Sequence, residues 1–148
     1  MALLFAALQS QASTVLYSDD FSNSDVWLEY SGNSSIKEVD TPDGKLITYN
    51  VAFYPTKYKT YDGVKMTGYL DFRAGGSTVT ATTSYVQFPD MTFTNGGTFT
   101  VVYGAGSTNK KLQLQEWNGT EWVNGDYETV TTVKSIKWYT QNWTVEGS

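Results

Sequence analysis

Gly97-Thr98-Phe99-Thr100-Val101-Val102-Tyr103-Gly104 is the stretch on which the fold turns. Phe99, Val101 and Tyr103 share one parity, Thr98 and Thr100 take the other, and Gly96-Gly97 opens the run. Side chains of an extended chain point to alternate faces, so a run of this kind buries one face and wets the other. β-Branched and aromatic residues suit that half-buried pleated surface. Downstream, Leu112 to Trp117 alternates again, Asn118-Gly119 turns the chain into Trp122–Val130, and Ile136 with Trp138, then Trp143–Val145, pattern two more strands. Upstream, Leu46 to Tyr54 sets Ile47, Tyr49, Val51 and Phe53 on one parity, and Thr67 to Arg73 sets Leu70 and Phe72 against Tyr69 and Asp71. Asp43-Gly44 and Gly75-Gly76 read as turns, and Thr78–Thr80 and Tyr85–Pro89 as short extended pieces. Thr14–Tyr17 leads into Asp19-Asp20-Phe21, and the polar stretch Ser22–Pro42 carries Trp27 and Tyr30. A two-residue period, turn signals about every 8–12 residues and no sustained helical period predict an all-β protein, an antiparallel β-sandwich of the jelly-roll kind. The sandwich is expected over residues 13–148 as a single domain, a fit length for one core.

Composition excludes more chemistry than any motif suggests. The chain has no Cys and no His, so a thiolate nucleophile, a Cys- or His-held metal and a Ser-His-Asp relay are all ruled out. Without Cys there are no disulfides, and the redox compartment stays open. The net charge is -5, and Arg73 is the one Arg among ten cations, so a basic surface tracking nucleic-acid phosphates is not expected. Aromatic residues reach 16%, which matters for ligand binding below.

Both termini suggest processing. Ala2–Leu8 is a short apolar run, and Ser10-Gln11-Ala12 spaces small residues as a signal peptidase requires, although the first positive charge is Lys37. Residues 1–12 are therefore expected to be the remnant of a secretory signal or an N-terminal arm, and the protein to be secreted or held at the cell surface. The run is too short for a membrane span. At the other end, Glu146-Gly147-Ser148 follows directly on a strand. A jelly roll closes with a strand beside the first, so the expected sandwich lacks its last strand.

Leu16-Tyr17-Ser18-Asp19-Asp20-Phe21 with Trp27, Tyr85-Val86-Gln87-Phe88-Pro89, Gly97–Gly104 and Leu112–Gly119 together resemble the strand pattern of ancillary jelly-roll modules on secreted bacterial polysaccharide-degrading enzymes. The resemblance covers most of residues 14–146 and contains no catalytic signature. It implies the carbohydrate-binding-module class, a galactose-binding-like or related sandwich, polysaccharide as the partner and a fused catalytic domain.

Sugar binding needs flat rings against the apolar face of a pyranose, with polar groups around it. Tyr54, Tyr58 and Tyr61 lie together in a segment read as a loop, 55–65, and Trp117 and Trp122 flank a turn. The tryptophans are as well explained as a cross-strand pair, and the loop tyrosines as a lid on the core. If consecutive strands run antiparallel, the loops 55–65, 81–84, 104–111 and 131–134 share one end. That end then gathers Lys57, Lys59, Lys65, Lys110, Lys111 and Lys134, six of the ten cations. The expected site has Tyr58 and Tyr61 as stacking platforms, Lys57, Lys59, Lys110 and Lys111 as anion contacts, and Asn109 as a hydroxyl partner. Its ligand is expected among polysaccharides, acidic ones included.

The rival readings use the same residues. A glycosidase would need two carboxylates such as Glu116 and Glu121, with Glu116 on the parity of Leu112 and Leu114 and hence inward. A lyase would use Tyr58 beside Lys57 or Lys59. Against both stands the missing His, and the protein is expected not to be an enzyme. Thr, Ser, Asn and Tyr richness suits an adhesin equally well. No cofactor is expected. Asp19, Asp20 and Asp25 are the candidate oxygen ligands for a structural calcium ion, although Asp pairs at strand ends also form turns.

Overall fold

A computed structural model describes residues 2–10, 15–73, 84–104, 110–132 and 135–147, and no helix occurs among them. The strand expected at Thr78–Thr80 and the site residues Asn109 and Lys134 lie outside the described residues. The strands, in chain order, are β1 (Ala2–Ser10), β2 (Val15–Asp19), β3 (Ile36–Thr41), β4 (Gly44–Tyr49), β5 (Val51–Tyr61) and β6 (Val64–Phe72). There follow β7 (Tyr85–Gln87), β8 (Gly97–Gly104), β9 (Lys110–Leu112), β10 (Glu116–Trp117), β11 (Trp122–Val123), β12 (Val130–Thr132) and β13 (Trp138–Val145). All their pairings are antiparallel. The protein is thus all-β, in several antiparallel sheets.

The larger sheet has six strands in the order β13-β8-β1-β6-β5, with β2 also paired to β1; β3-β4-β7 form a second sheet, and β9-β12 and β10-β11 are two-stranded ribbons. In β8 the residues Phe99, Val101 and Tyr103 are buried, as their parity predicts. Opposite them on β13 stand Trp143, Gln141 and Tyr139. Tyr139 stacks on Tyr103 at 5.5 Å, and Trp143 leans on Phe99 at 5.9 Å. Cross-strand ring pairs of this kind are what hold a sheet's register. One apolar cluster joins these rings to Leu70 and Phe53 of the larger sheet and to Val39 and Leu46 of the second.

Ala2–Ser10 lies within the larger sheet, paired with β8 from Ala2↔Gly104 to Ser10↔Gly97. Its other edge is shared, Ala2 and Leu3 going to β6 and Ala6 to Gln9 to β2. The Leu46–Tyr54 run needs correction: Asn50, at φ 54°, divides it into β4 and β5. Leu46 and Thr48 are the buried residues of β4, not Ile47 and Tyr49, whereas Val51 and Phe53 are buried as expected.

The first turn is tied to the core through Asp19. Its carboxylate accepts hydrogen bonds from Trp27 Nε1 at 2.8 Å, from the Phe21 amide at 2.7 Å and from the Tyr17 hydroxyl at 3.2 Å. Phe21 is held at φ 59°, an uncommon conformation for a bulky side chain, with its ring edge-on to Trp27 at 5.2 Å. Trp27 is fully buried, so its N–H needs that acceptor. Burial, then the negative charge of Asp19, push the Tyr17 hydroxyl pKa well up, which keeps the phenol protonated as a donor. Asp19→Ala removes one acceptor from three donors, and hydrogen bonds to a charged partner contribute about 1.5–3 kcal/mol each. The expected loss is about 3 kcal/mol of unfolding free energy, read from urea denaturation followed by tryptophan fluorescence.

Candidate functional site

The segment expected as a loop over 55–65 is a β-hairpin. β5 and β6 pair from Val51↔Phe72 to Tyr61↔Val64, and Asp62 (φ 49°) and Gly63 (φ 75°) make the two-residue turn. Positive φ at both central residues is the mark of a type I′ turn, which Asp-Gly favours. The alternation was hidden by a register shift between Tyr54 and Tyr58, around Pro55.

Within the regular part, Tyr58↔Thr67, Lys59↔Met66, Thr60↔Lys65 and Tyr61↔Val64 are opposite one another. Tyr58 and Thr60 therefore share one face of the ribbon, and Lys59 and Tyr61 the other. The two tyrosines do not form a single stacking surface. Tyr58 is 58% exposed, with the Lys65 ammonium 4.0 Å from its ring centroid. Tyr61 is half-buried against Trp138, ring centroids 4.8 Å apart, and Trp138 Nε1 donates to the Val64 carbonyl at 3.0 Å. A Cβ on Gly104 would collide with the Tyr61 ring, so glycine there is what lets the hairpin tip dock. Burial, and secondarily Asp71, push the Tyr61 hydroxyl pKa up.

These contacts put the hairpin tip, the end of β8 and the start of β13 at one pole. Lys110 and Lys111 stand on β9 opposite Thr132 and Thr131 of β12. Lys137, over the Tyr139 ring at 5.1 Å, adds a cation that strand counting missed. Lys59 leans over Tyr69 at 5.5 Å, and Lys57 is paired with Glu29 and so is already charge-matched. The shared end of the alternate connections holds for β5–β6, Gly104 and Trp138, while its expected stacking pair is split.

A second set of exposed rings lies elsewhere. Trp117 and Trp122 are opposite one another in the β10–β11 ribbon, as their spacing predicts, with centroids 5.6 Å apart and planes at 60°. They are 54% and 39% exposed. Asn118 Oδ1 accepts from the Thr120 and Glu121 amides, which closes the turn. Gln115 Nε2 donates to Asn124 Oδ1 at 2.9 Å across the ribbon. Glu116 does not point inward as its parity suggested: it is exposed and accepts from the Tyr127 hydroxyl at 3.2 Å. Leu112 and Leu114 pack on the core, but the short strand β10 lies in a separate ribbon with its own facing.

Two of the candidate calcium ligands have carboxylates engaged in local turns: Asp19 as described above, and Asp20, whose Oδ1 accepts from the Ser22 amide and hydroxyl; at Asp25 it is the backbone amide that is bound, donating to Asn23 Oδ1. Asp19, Asp20 and Asp43 line an open cleft of about 310 Å³ with Asn23 and Trp27. Among the described residues, no three acidic side chains converge as a metal site.

No family model, no curated protein and no solved structure matches the chain. Fold and site define an all-β antiparallel domain with exposed rings at two separate places. None of its described helices could cross a membrane, since it has none.

Burial first, then the charge and hydrogen bond of Glu116, push the Tyr127 pKa up to about 12 from 10.0. The folded state thus holds this proton more tightly than the unfolded chain does. Its contribution to stability is complete below pH 10.0 and fades as pH rises through about 12. Glu116→Gln removes the carboxylate charge, so one tyrosine should ionise earlier in an alkaline absorbance titration at constant fold, with the other late-titrating tyrosines unmoved.

Proposed function

We propose that this protein is a non-catalytic carbohydrate-binding module with a jelly-roll sandwich, which holds an attached enzyme or a cell surface to acidic polysaccharide. The observation that carries the reading is the exposed Tyr58 ring beside the Lys65 ammonium, 4.0 Å away, on the same hairpin as Lys59 and at the end of β13 where Lys137 lies over Tyr139. The open face of the phenol suits the C–H face of a uronate ring, and the ammonium groups suit its carboxylate. The lack of His and Cys in the sequence supports binding over catalysis. Lys57 contributes less than the sequence suggested, because Glu29 already meets its charge.

Export is part of this reading and rests on the apolar start and on Ser10-Gln11-Ala12. Cleavage after Ala12 would withdraw β1 from between β8 and β2, and those edges would then need another strand.

Electrophoresis through a gel containing polygalacturonate tests the proposal. The expected result is retardation that weakens with salt and falls about tenfold or more in Tyr58→Ala, equivalent to about 1.4 kcal/mol of lost contact. Unretarded migration of the folded protein would sink it.

A protein-binding surface module is the second reading. It is favoured by β13, which is the outer strand of its sheet and presents eight residues, Trp138–Val145, without a charge or a proline. Edges of that kind invite strand addition. It predicts concentration-dependent association in size-exclusion chromatography, abolished by Asn142→Pro, and a monomer at all concentrations would count against it.

A further inference from the structure

We propose that Trp117, Trp122, Gln115 and Asn124 form a second glycan-binding face, selective for uncharged polysaccharide chains. It is distinct in place and in chemistry from the cationic pole.

The five tryptophans of the chain fall into two groups. Trp27, Trp138 and Trp143 each donate their indole N–H to a protein acceptor, respectively the Asp19 carboxylate and the carbonyls of Val64 and Glu128. Trp117 and Trp122 donate to no acceptor among the described residues, and both are among the exposed large side chains. A cross-strand pair needs contact between the two rings, but it does not need both to stay this wet. Neighbouring exposed rings mark a surface that meets something. A ligand hydroxyl is the natural acceptor for both N–H groups.

Strand geometry supplies the polar partners. Trp117 and Trp122 are directly opposite, and Gln115 and Asn124 flank the open end of the same short ribbon, two residues from each ring in sequence. The hydrogen bond between those amides ties the two side chains together across it. It leaves the Gln115 carbonyl as an acceptor and the Asn124 amino group as a donor, with no protein partner among the described residues. Two angled rings, flanked by one acceptor and one donor, match a pyranose with an apolar C–H face and equatorial hydroxyls.

Charge selects among glycans. Residues 113–132 contain Glu116, Glu121, Asp126 and Glu128 and no Lys or Arg. A uronate or sulfated chain would meet repulsion from these carboxylates, and an anionic lipid surface would fare no better. Hydroxyls of a neutral chain would instead find carboxylate acceptors around the rings. Trp143, toward the Val145 end of β13, donates to the Glu128 carbonyl at 3.0 Å, next to the Tyr127 whose hydroxyl binds Glu116 of the ribbon, whereas Tyr61 and the hairpin tip with Lys65 adjoin the Trp138 end. The two faces are therefore at opposite ends of the same strand.

The test is electrophoresis of the full chain through separate gels containing galactomannan, xyloglucan or mixed-linkage β-glucan. Retardation in at least one is expected, unaltered by salt. It should fall about tenfold or more in Trp117→Ala and in Trp122→Ala, each with a native circular dichroism spectrum, and persist in the surface control Leu28→Ala. Should either variant unfold, wild-type protein titrated with soluble β-glucan in a heteronuclear NMR experiment gives the same answer. Of the five indole N–H signals, those of Trp117 and Trp122 should move and the three hydrogen-bonded ones should stay. The proposal is overturned if no neutral gel retards the protein, if the folded Trp117→Ala/Trp122→Ala double variant is retarded like wild type, or if those two signals stay fixed. Polygalacturonate retention is read in a different gel, so the cationic pole can fail while this face stands, and the reverse.

Discussion

Strand β8 is hydrogen-bonded along both edges, to β13 on one side and to β1 on the other, over nearly its whole length. That double pairing fixes which side chains point inward, because a slip of one residue on either edge would turn Phe99, Val101 and Tyr103 to solvent. It also fixes the long axis of the molecule. Gly104 and Trp138 lie at one end of it, Gly97 and Val145 at the other. The positions of both sets of exposed rings follow from that axis: the β5–β6 hairpin docks at the Gly104 end, and Trp143, toward the Val145 end, holds the Glu128 carbonyl beside Tyr127.

Around this frame the molecule relies on rings rather than ion pairs. Phe21, Trp27, Phe53 and Tyr30 pack in sequence at centroid distances of 5.2–5.4 Å, and Tyr17, Phe88, Phe99 and Trp143 make a second chain. Edge-on and tilted contacts of this kind favour the ring quadrupoles. The ion pairs Lys45–Glu38 and Lys57–Glu29 are about half exposed, Arg73–Asp71 is long at 3.7 Å, and pairs of this kind contribute little to stability by comparison. Lys57–Glu29 matters in another way, since it neutralises a cation next to the candidate site while Lys65 stays over Tyr58.

Several elements were legible because their two faces differ. β8 alternates apolar with polar and could be read as a strand before any fold existed, whereas Trp138–Val145 is one strand where the sequence suggested two, with Ile136 exposed and outside it. The Trp117–Trp122 pair followed from a turn sequence, Asn118-Gly119-Thr120-Glu121, with a ring at each end. The failures have equally local causes. The β5–β6 hairpin was hidden by Pro55 and the shift after Tyr54, although Asp62-Gly63 carried a hairpin turn in plain view. Asn50, with its positive φ, reversed the parity of β4 relative to β5 inside what reads as one run.

The sequence by itself determined the all-β class, the turns that Gly and Asn impose, and the chemistry closed to a chain without His or Cys. Those properties depend on a residue and its near neighbours. Only the tertiary structure decided that Tyr58 and Tyr61 face apart, that Lys57 is neutralised by Glu29, and that the tryptophan pair stands in a ribbon of its own, apart from the larger sheet. Alternation says on which side of its own strand a ring lies, but which strand comes next, and in what register, is settled by contacts between residues far apart in the chain.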